Sequence, residues 1–329
     1  MTAKILVTPR TFGKTDPVPM RMLSEAGCEV VVNPYGRQLS EDELVELIAD
    51  VDGVIAGLDP YTRRVMEHGS KLKVISRYGV GVNNVDLDYA TARGIMVTNT
   101  PGANSSAVAE LTIALLMAAS RHVCTSDRAI RQGMWKQYHG SQVRGKTIGI
   151  IGTGQIGKET AELALGLRMN VLCNDIVPDR EWAAKVGAEY VDLSELVSKS
   201  DYVSLHVPYS EGTRHMLSTR ELAMMKPSAI LVNTARGGIV DEAALYEALV
   251  KGTIAGAALD VFEVEPPVGS PLLELDNVVL TSHIGAHTQE AVQNMGRMAV
   301  ANLLAGLIGG KPANLVNVEV DPELTTAAV

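Results

Sequence analysis

The chain has 329 residues, 46% hydrophobic and 20% charged, which excludes a disordered chain and leaves room for two domains. The net charge is −9 with no Lys/Arg cluster, which argues against a nucleic-acid binder. The longest apolar segment, Leu111 to Ala119, is far short of the ~20 residues of a membrane span. The three cysteines, Cys28, Cys124 and Cys173, are scattered and match no zinc or disulfide spacing. A cytoplasmic protein with reduced thiols, no metal and no membrane or nucleic-acid partner is the expectation.

Short apolar runs alternate with amphipathic stretches from the start. Ile5–Thr8, Glu29–Asn33, Gly53–Ala56, Val74–Ser76 and Met96–Thr98 read as strands. Pro19–Ala26, Glu41–Ala49 and Tyr61–His68 read as the helices between them. The alternation predicts βαβ units and a parallel sheet. Asn99-Thr100-Pro101-Gly102 is a break. Asn104-Ser105-Ser106 can then cap a helix to Ser120 that is apolar almost all round apart from Glu110, as expected of a helix at a junction or an interface.

A second alternation begins at Lys146. Strands are expected at Thr147–Ile151, Asn170–Asn174, Tyr190–Val191, Tyr202–Leu205, Ala229–Asn233, Gly256–Leu259 and Val278–Leu280. Helices are expected at Ile156–Gly166, Arg180–Val186, Ser194–Lys199, Thr219–Met225 and Glu242–Lys251, with a final one at Thr288–Leu307.

The first strand of this half runs into Gly152-Thr153-Gly154-Gln155-Ile156-Gly157, and a helix follows. Gly152 suits the tight turn, Gly154 lets backbone approach a pyrophosphate, and Gly157 lets the helix pack on the strand. Asp175 closes the next strand, where a carboxylate binds ribose hydroxyls and repels a 2′-phosphate, favouring NAD over NADP. Three later loops carry ionisable groups beyond strand ends. Arg236 sits beside Gly237 and Gly238 and can pair bidentately with a carboxylate. Glu265 lies in Phe262-Glu263-Val264-Glu265-Pro266-Pro267, and His283 in Thr281-Ser282-His283-Ile284-Gly285. An imidazole can take and return a proton, and a carboxylate beside it would fix its tautomer. Each also has an ordinary reading, as a surface ion pair, a loop acid and a capping histidine, and the spacing does not bring the three together.

Several long motifs in order resemble the D-isomer-specific 2-hydroxyacid dehydrogenase family, and its phosphoglycerate dehydrogenase branch most. They are Arg77 to Asp86, Asn99 to Gly102, Ala109-Glu110, Gly152 to Gly157, His206-Val207-Pro208, Asn233 to Asp241, Ala257 to Pro267 and His283 to Ala286. The resemblance covers nearly the whole chain. It implies an NAD-dependent enzyme interconverting a small D-2-hydroxy acid and its 2-keto acid. It implies a catalytic Arg236, Glu265 and His283, with Arg236 also on the substrate. Gly152, Gly154, Gln155, Ile156, Gly157, Asp175, His206, Pro208, Thr234, Ala235, Asp260 and Gly285 would bind the cofactor, and Arg77, Val80 and Gly81 the substrate. The implied fold is α/β: two doubly wound parallel-sheet domains, with a Rossmann NAD-binding domain (101–286) inserted in a flavodoxin-like substrate domain (1–100 plus 287–329). A homodimer or homotetramer, of the short form without a regulatory domain, is implied. Phosphoglycerate dehydrogenases often carry an Arg after the strand matching Val54-Ile55-Ala56. This chain has Gly57-Leu58-Asp59-Pro60 there, and Asp59 would repel a phosphate. That leaves 3-phosphoglycerate, hydroxypyruvate, glyoxylate and sugar-derived keto acids open. An NAD-sensing binding protein of the corepressor type is the alternative on the same fold, and formate or phosphite oxidation another. Glu265 argues against formate oxidation, where a Gln stands in its place.

Overall fold

A computed structural model describes residues 2–320. The chain divides into two units, Met1–Asn104 with Ala286–Val329, and Ser105–Gly285. Residues 321–329 of the expected C-terminal segment lie outside the described residues.

The first unit holds strands β1 (Lys4–Val7), β2 (Glu29–Val32), β3 (Gly53–Ala56), β4 (Val74–Arg77) and β5 (Met96–Thr98). Its helices are α1 (Val18–Glu25), α2 (Glu41–Ile48), α3 (Arg63–His68) and α4 (Leu87–Ala92). The sheet is all parallel in the order β2-β1-β3-β4-β5. Strands β3 and β4 are buried along their whole length, as parallel strands covered on both faces must be. Ser40 and Glu43 form a capping box that starts α2. The core on one face gathers Leu6, Leu44, Ile48, Val54, Ile75 and Val97, each worth about 1.5–3 kcal/mol when fully buried.

The second unit begins with α5 (Ser105–Ser120) and α6 (Val123–Arg131). Seven strands follow: β6 (Thr147–Ile151), β7 (Asn170–Asn174), β8 (Glu189–Tyr190), β9 (Tyr202–Leu205), β10 (Ile230–Asn233), β11 (Gly256–Leu259) and β12 (Val278–Leu280). Helices α7 (Gln155–Gly166), α8 (Arg180–Val186), α9 (Leu193–Lys199), α10 (Thr219–Met224) and α11 (Glu242–Val250) lie between them. The order β12-β11-β10-β9-β6-β7-β8 is parallel throughout and reverses direction around β6 and β9. Neighbouring residues of β6 feed opposite cores: Ile150 packs with Leu116 and Ala161, Ile151 with Leu196 and Leu245. A final helix, α12 (Gln289–Leu307), returns to the first unit and packs on β3 and β4.

Two helices escape the hydrophobic pattern. The short α4 is started by Asp86, which accepts from Tyr89 N–H. The polar α6 begins after His122, which turns the chain at φ +53°. Among the described residues no single helix is long and apolar enough to cross a membrane.

Candidate functional site

Every site residue of the second unit follows the C-terminal end of a parallel strand, the edge where doubly wound sheets bind ligands. After β6 the chain turns at Gly152 with φ +91°, and a Cβ there would lie 2.7 Å from the His206 carbonyl. At Gly157 a Cβ would meet the Gly152 carbonyl oxygen at 2.0 Å, so α7 leans directly on the loop. Gly154 differs: a Cβ there would meet nothing within 4 Å. It precedes α7 without capping by a side chain. The first-turn N–H groups of Gln155, Ile156 and Gly157 have no intrahelical acceptors. An open approach to helix N–H groups fits the pyrophosphate of a dinucleotide.

Asp175 follows β7. Its Oδ2 accepts from Thr153 N at 2.6 Å and Thr153 Oγ1 at 3.0 Å, and its Oδ1 from Val177 N at 2.9 Å. Burial would push its carboxyl up, but these donors outweigh it and hold the group below its ordinary value.

The other expected cofactor residues are placed as follows. His206, after β9, sets its Nε2 2.8 Å from Ser204 Oγ, and burial pulls its pKa down to about 3. Pro208 is exposed, and its carbonyl accepts from Thr213 Oγ1 at 2.7 Å. Thr234 is buried with its hydroxyl 2.7 Å from that of Thr112 on α5, and Ala235 is half-buried beside it. Asp260 is buried and accepts from Thr281 Oγ1 (2.6 Å), Ile284 N (2.8 Å) and Gly285 N (2.9 Å). Asp260 therefore organises the loop that carries His283, a role the sequence did not suggest.

Arg236, Glu265 and His283 do come together, on the loops after neighbouring strands β10, β11 and β12. His283 Nδ1 lies 2.7 Å from Glu265 Oε2. An ionised carboxylate only accepts, so Nδ1 carries the hydrogen and Nε2 is the nitrogen left for proton exchange. His283 takes φ +54°, a left-handed conformation rare outside glycine. Burial would raise Glu265, yet the bond and charge of His283, the Phe262 N–H at 3.1 Å and the charge of Arg236 hold its carboxyl below the ordinary value. Burial lowers the half-buried Arg236 guanidinium, while Glu265 pulls it back. Its loop is fixed by Asn233, which donates to Arg236 O at 2.8 Å and accepts from Ala235 N at 3.0 Å.

The glycines beside Arg236 serve the protein itself. A Cβ on Gly237 would sit 1.8 Å from Phe262 O, so the Arg236 loop presses on the Glu265 loop. The two loops are also tied reciprocally. Glu242 N donates to Glu263 Oε1 at 3.1 Å, and Glu263 N donates to Glu242 Oε1 at 2.6 Å. His215 Nε2 lies 3.1 Å from the same Glu263 oxygen. No motif singled out Glu242, Glu263 or His215. Only the contact of two distant loops reveals them.

In the first unit, Val80 and Gly81 are half-buried, and Val80 O accepts from Asn99 Nδ2 at 2.8 Å. Arg77, expected on the substrate, is only 4% exposed; it donates to Ala56 O at 3.0 Å and Asn84 Oδ1 at 3.1 Å, holding the ends of β3 and β4. Asp59, expected to repel a phosphate rather than hold it, is 2% exposed. It accepts from Thr8 Oγ1 and, at 2.7 Å, from Leu39 N, so both of its carboxylate oxygens are engaged inside the unit.

Residues 113–285 match the sequence profile described as D-isomer specific 2-hydroxyacid dehydrogenase, NAD binding domain. The chain is 43% identical over 315 residues to a glyoxylate reductase of Korarchaeum cryptofilum, covering 91% of this chain and 95% of the relative. The chain belongs to the D-isomer specific 2-hydroxyacid dehydrogenase family. A D-3-phosphoglycerate dehydrogenase of Methanocaldococcus jannaschii is 43% identical over 316 residues, spanning 94% of this chain and 60% of the relative. Among solved structures, the TT0316 protein of Thermus thermophilus superposes with a TM-score of 0.87 at 40% identity, over 95% of this chain and 99% of that one. This 2-hydroxyacid dehydrogenase is thus an oxidoreductase with an NAD(H) domain, and its two parallel sheets are those of the family fold.

Proposed function

We propose that the enzyme uses NADH to reduce a small, unphosphorylated 2-keto acid of the glyoxylate or hydroxypyruvate kind to the D-2-hydroxy acid, and runs the reverse with NAD. The observation that carries this reading is the 2.7 Å His283–Glu265 pair with Arg236 on the adjoining strand end. The bound nicotinamide supplies or accepts the hydride. Arg236 holds the carboxylate and polarises the C2 oxygen. His283 Nε2 gives a proton to that oxygen in reduction and takes it back in oxidation. Glu265 stabilises the imidazolium that donates. Thr234, Ala235, Asp260 and Gly285 line the nicotinamide end, and the Gly154 loop takes the pyrophosphate. Asp175 favours NAD over NADP by charge.

Two points support the small substrate. The Gly57-Leu58-Asp59-Pro60 loop offers no cation for a phosphate, and a curated relative covered almost end to end is a glyoxylate reductase. We further propose a homodimer or homotetramer, supported by exposed Val123, Ile130, Met134 and Trp135 around α6.

The test is NADH oxidation with glyoxylate, hydroxypyruvate, 3-phosphohydroxypyruvate and pyruvate in parallel. Turnover of the first two with the higher kcat/KM is expected. Preference for the phosphorylated acid would overturn the substrate assignment. NADH binding without turnover of any keto acid would overturn the enzymatic reading in favour of an NAD-sensing binding protein.

A further inference from the structure

Asp175 does not stand alone at the end of β7. Its Oδ2 accepts from the Thr153 hydroxyl at 3.0 Å, and that hydroxyl lies 2.7 Å from Tyr190 Oη. Thr153 has one hydroxyl hydrogen. The carboxylate can only accept, so that hydrogen points to Asp175. Tyr190 must then donate to Thr153 Oγ1. The Tyr190 oxygen in turn accepts from Asp179 N at 3.1 Å. The bonds thus run one way, from the start of α8 through Tyr190 on β8 and Thr153 in the glycine loop to the carboxylate. Thr153 is buried, so its hydroxyl hydrogen is not contested by bulk water.

We infer that Thr153 and Tyr190 are positioning residues that set the discrimination between NADH and NADPH by locking one oxygen of Asp175 to the glycine loop. This rests on the reading of Asp175 as the ribose-binding carboxylate. A carboxylate pinned at Oδ2 by Thr153 and at Oδ1 by Val177 N has little rotational freedom. It presents a fixed negative edge, which a ribose diol can bond and a 2′-phosphate cannot approach. A loose carboxylate could swing aside. Directed hydrogen bonds, each polarising the next, give the arrangement its stiffness.

The test measures dissociation constants of NADH and NADPH by fluorescence titration in the whole chain, without substrate, together with thermal unfolding. Thr153→Val removes the hydroxyl and keeps the shape. Tyr190→Phe removes only the first hydroxyl of the relay. Thr153→Ser keeps the bond, and Asp175→Ala removes the carboxylate. We expect NADH to weaken about 10-fold in Thr153→Val and about 3-fold in Tyr190→Phe, with NADPH unchanged or tighter and Thr153→Ser close to wild type. The inference is overturned if Asp175→Ala shifts the NADH/NADPH ratio while Thr153→Val and Tyr190→Phe leave it within twofold of wild type. It is also overturned if both cofactors weaken equally. An unchanged ratio in Asp175→Ala would instead remove the reading of Asp175 itself.

Discussion

The two units share one architecture and use the same edge of it in opposite ways. At and just beyond the strand ends of the first unit, Thr8, Asp59, Tyr61, Arg77 and Asn84 hydrogen-bond to one another and to nearby backbone. Gly57 N donates to Thr8 Oγ1 at 2.8 Å, and Asn84 Nδ2 donates to Asp59 O at 2.7 Å. Beyond the strands of the second unit, Asp175, Arg236, Glu265 and His283 stay partly exposed with an edge still available. Polar residues at strand ends are therefore not a functional signal by themselves. What separates a structural network from a site is whether its hydrogen bonds close on the protein.

That comparison can be broken at several points. Arg236→Lys keeps a charge and loses the planar fork. It should lower kcat/KM for the keto acid on the order of 10²–10³-fold while leaving NADH binding in place. Steady-state kinetics with a cofactor titration check this. Glu263→Ala opens the tie between the Arg236 and Glu265 loops, and a kcat loss of roughly 10-fold is expected, with partial recovery in Glu263→Gln. A wild-type kcat in both variants would make that tie irrelevant to the chemistry.

In the first unit the effect should appear in stability. Asp59→Ala leaves Leu39 N–H and the Thr8 hydroxyl without their acceptor, at about 1–3 kcal/mol. Denaturant unfolding should show that loss, with kcat little changed. A last effect, confined to acid pH, concerns His206. Its ordinary value is 6.5 and burial lowers it to about 3 in the folded chain. Between those values the unfolded chain binds the proton and the folded chain does not, so stability falls as pH drops through that interval. His206→Gln should flatten this part of the stability–pH curve. An unaltered slope would show that other groups carry it.

Much of this was legible in the residues because it is local. Gly53–Ala56, Thr147–Ile151 and Val278–Leu280 read as strands because short apolar runs rich in β-branched residues between turns have few other uses. The glycine loop and Asp175 lie on consecutive strands, so their meeting follows from one βαβ unit. Arg236, Glu265 and His283 sit on separate loops, and their convergence needs the strand order, which the resemblance carried and the spacing did not. The surroundings of Arg77 and Asp59 were not legible for a different reason. A sequence shows that a charge is present but not which way it faces, and their partners Ala56 O, Leu39 N and Thr8 are backbone groups or distant residues. The helices Leu87–Ala92, started by the Asp86 cap, and Val123–Arg131, polar and without a side-chain cap, were missed because helices this short carry little periodicity.

The most direct measurement follows one round of NADH oxidation by glyoxylate in His283→Ala, with NADH affinity and thermal unfolding measured on the same protein. The account predicts cofactor binding and folding like the wild type and a chemical step slower by on the order of 10²–10⁴. A hydride-transfer rate near that of the wild type would contradict it, and proton transfer at the substrate oxygen would then belong to another group.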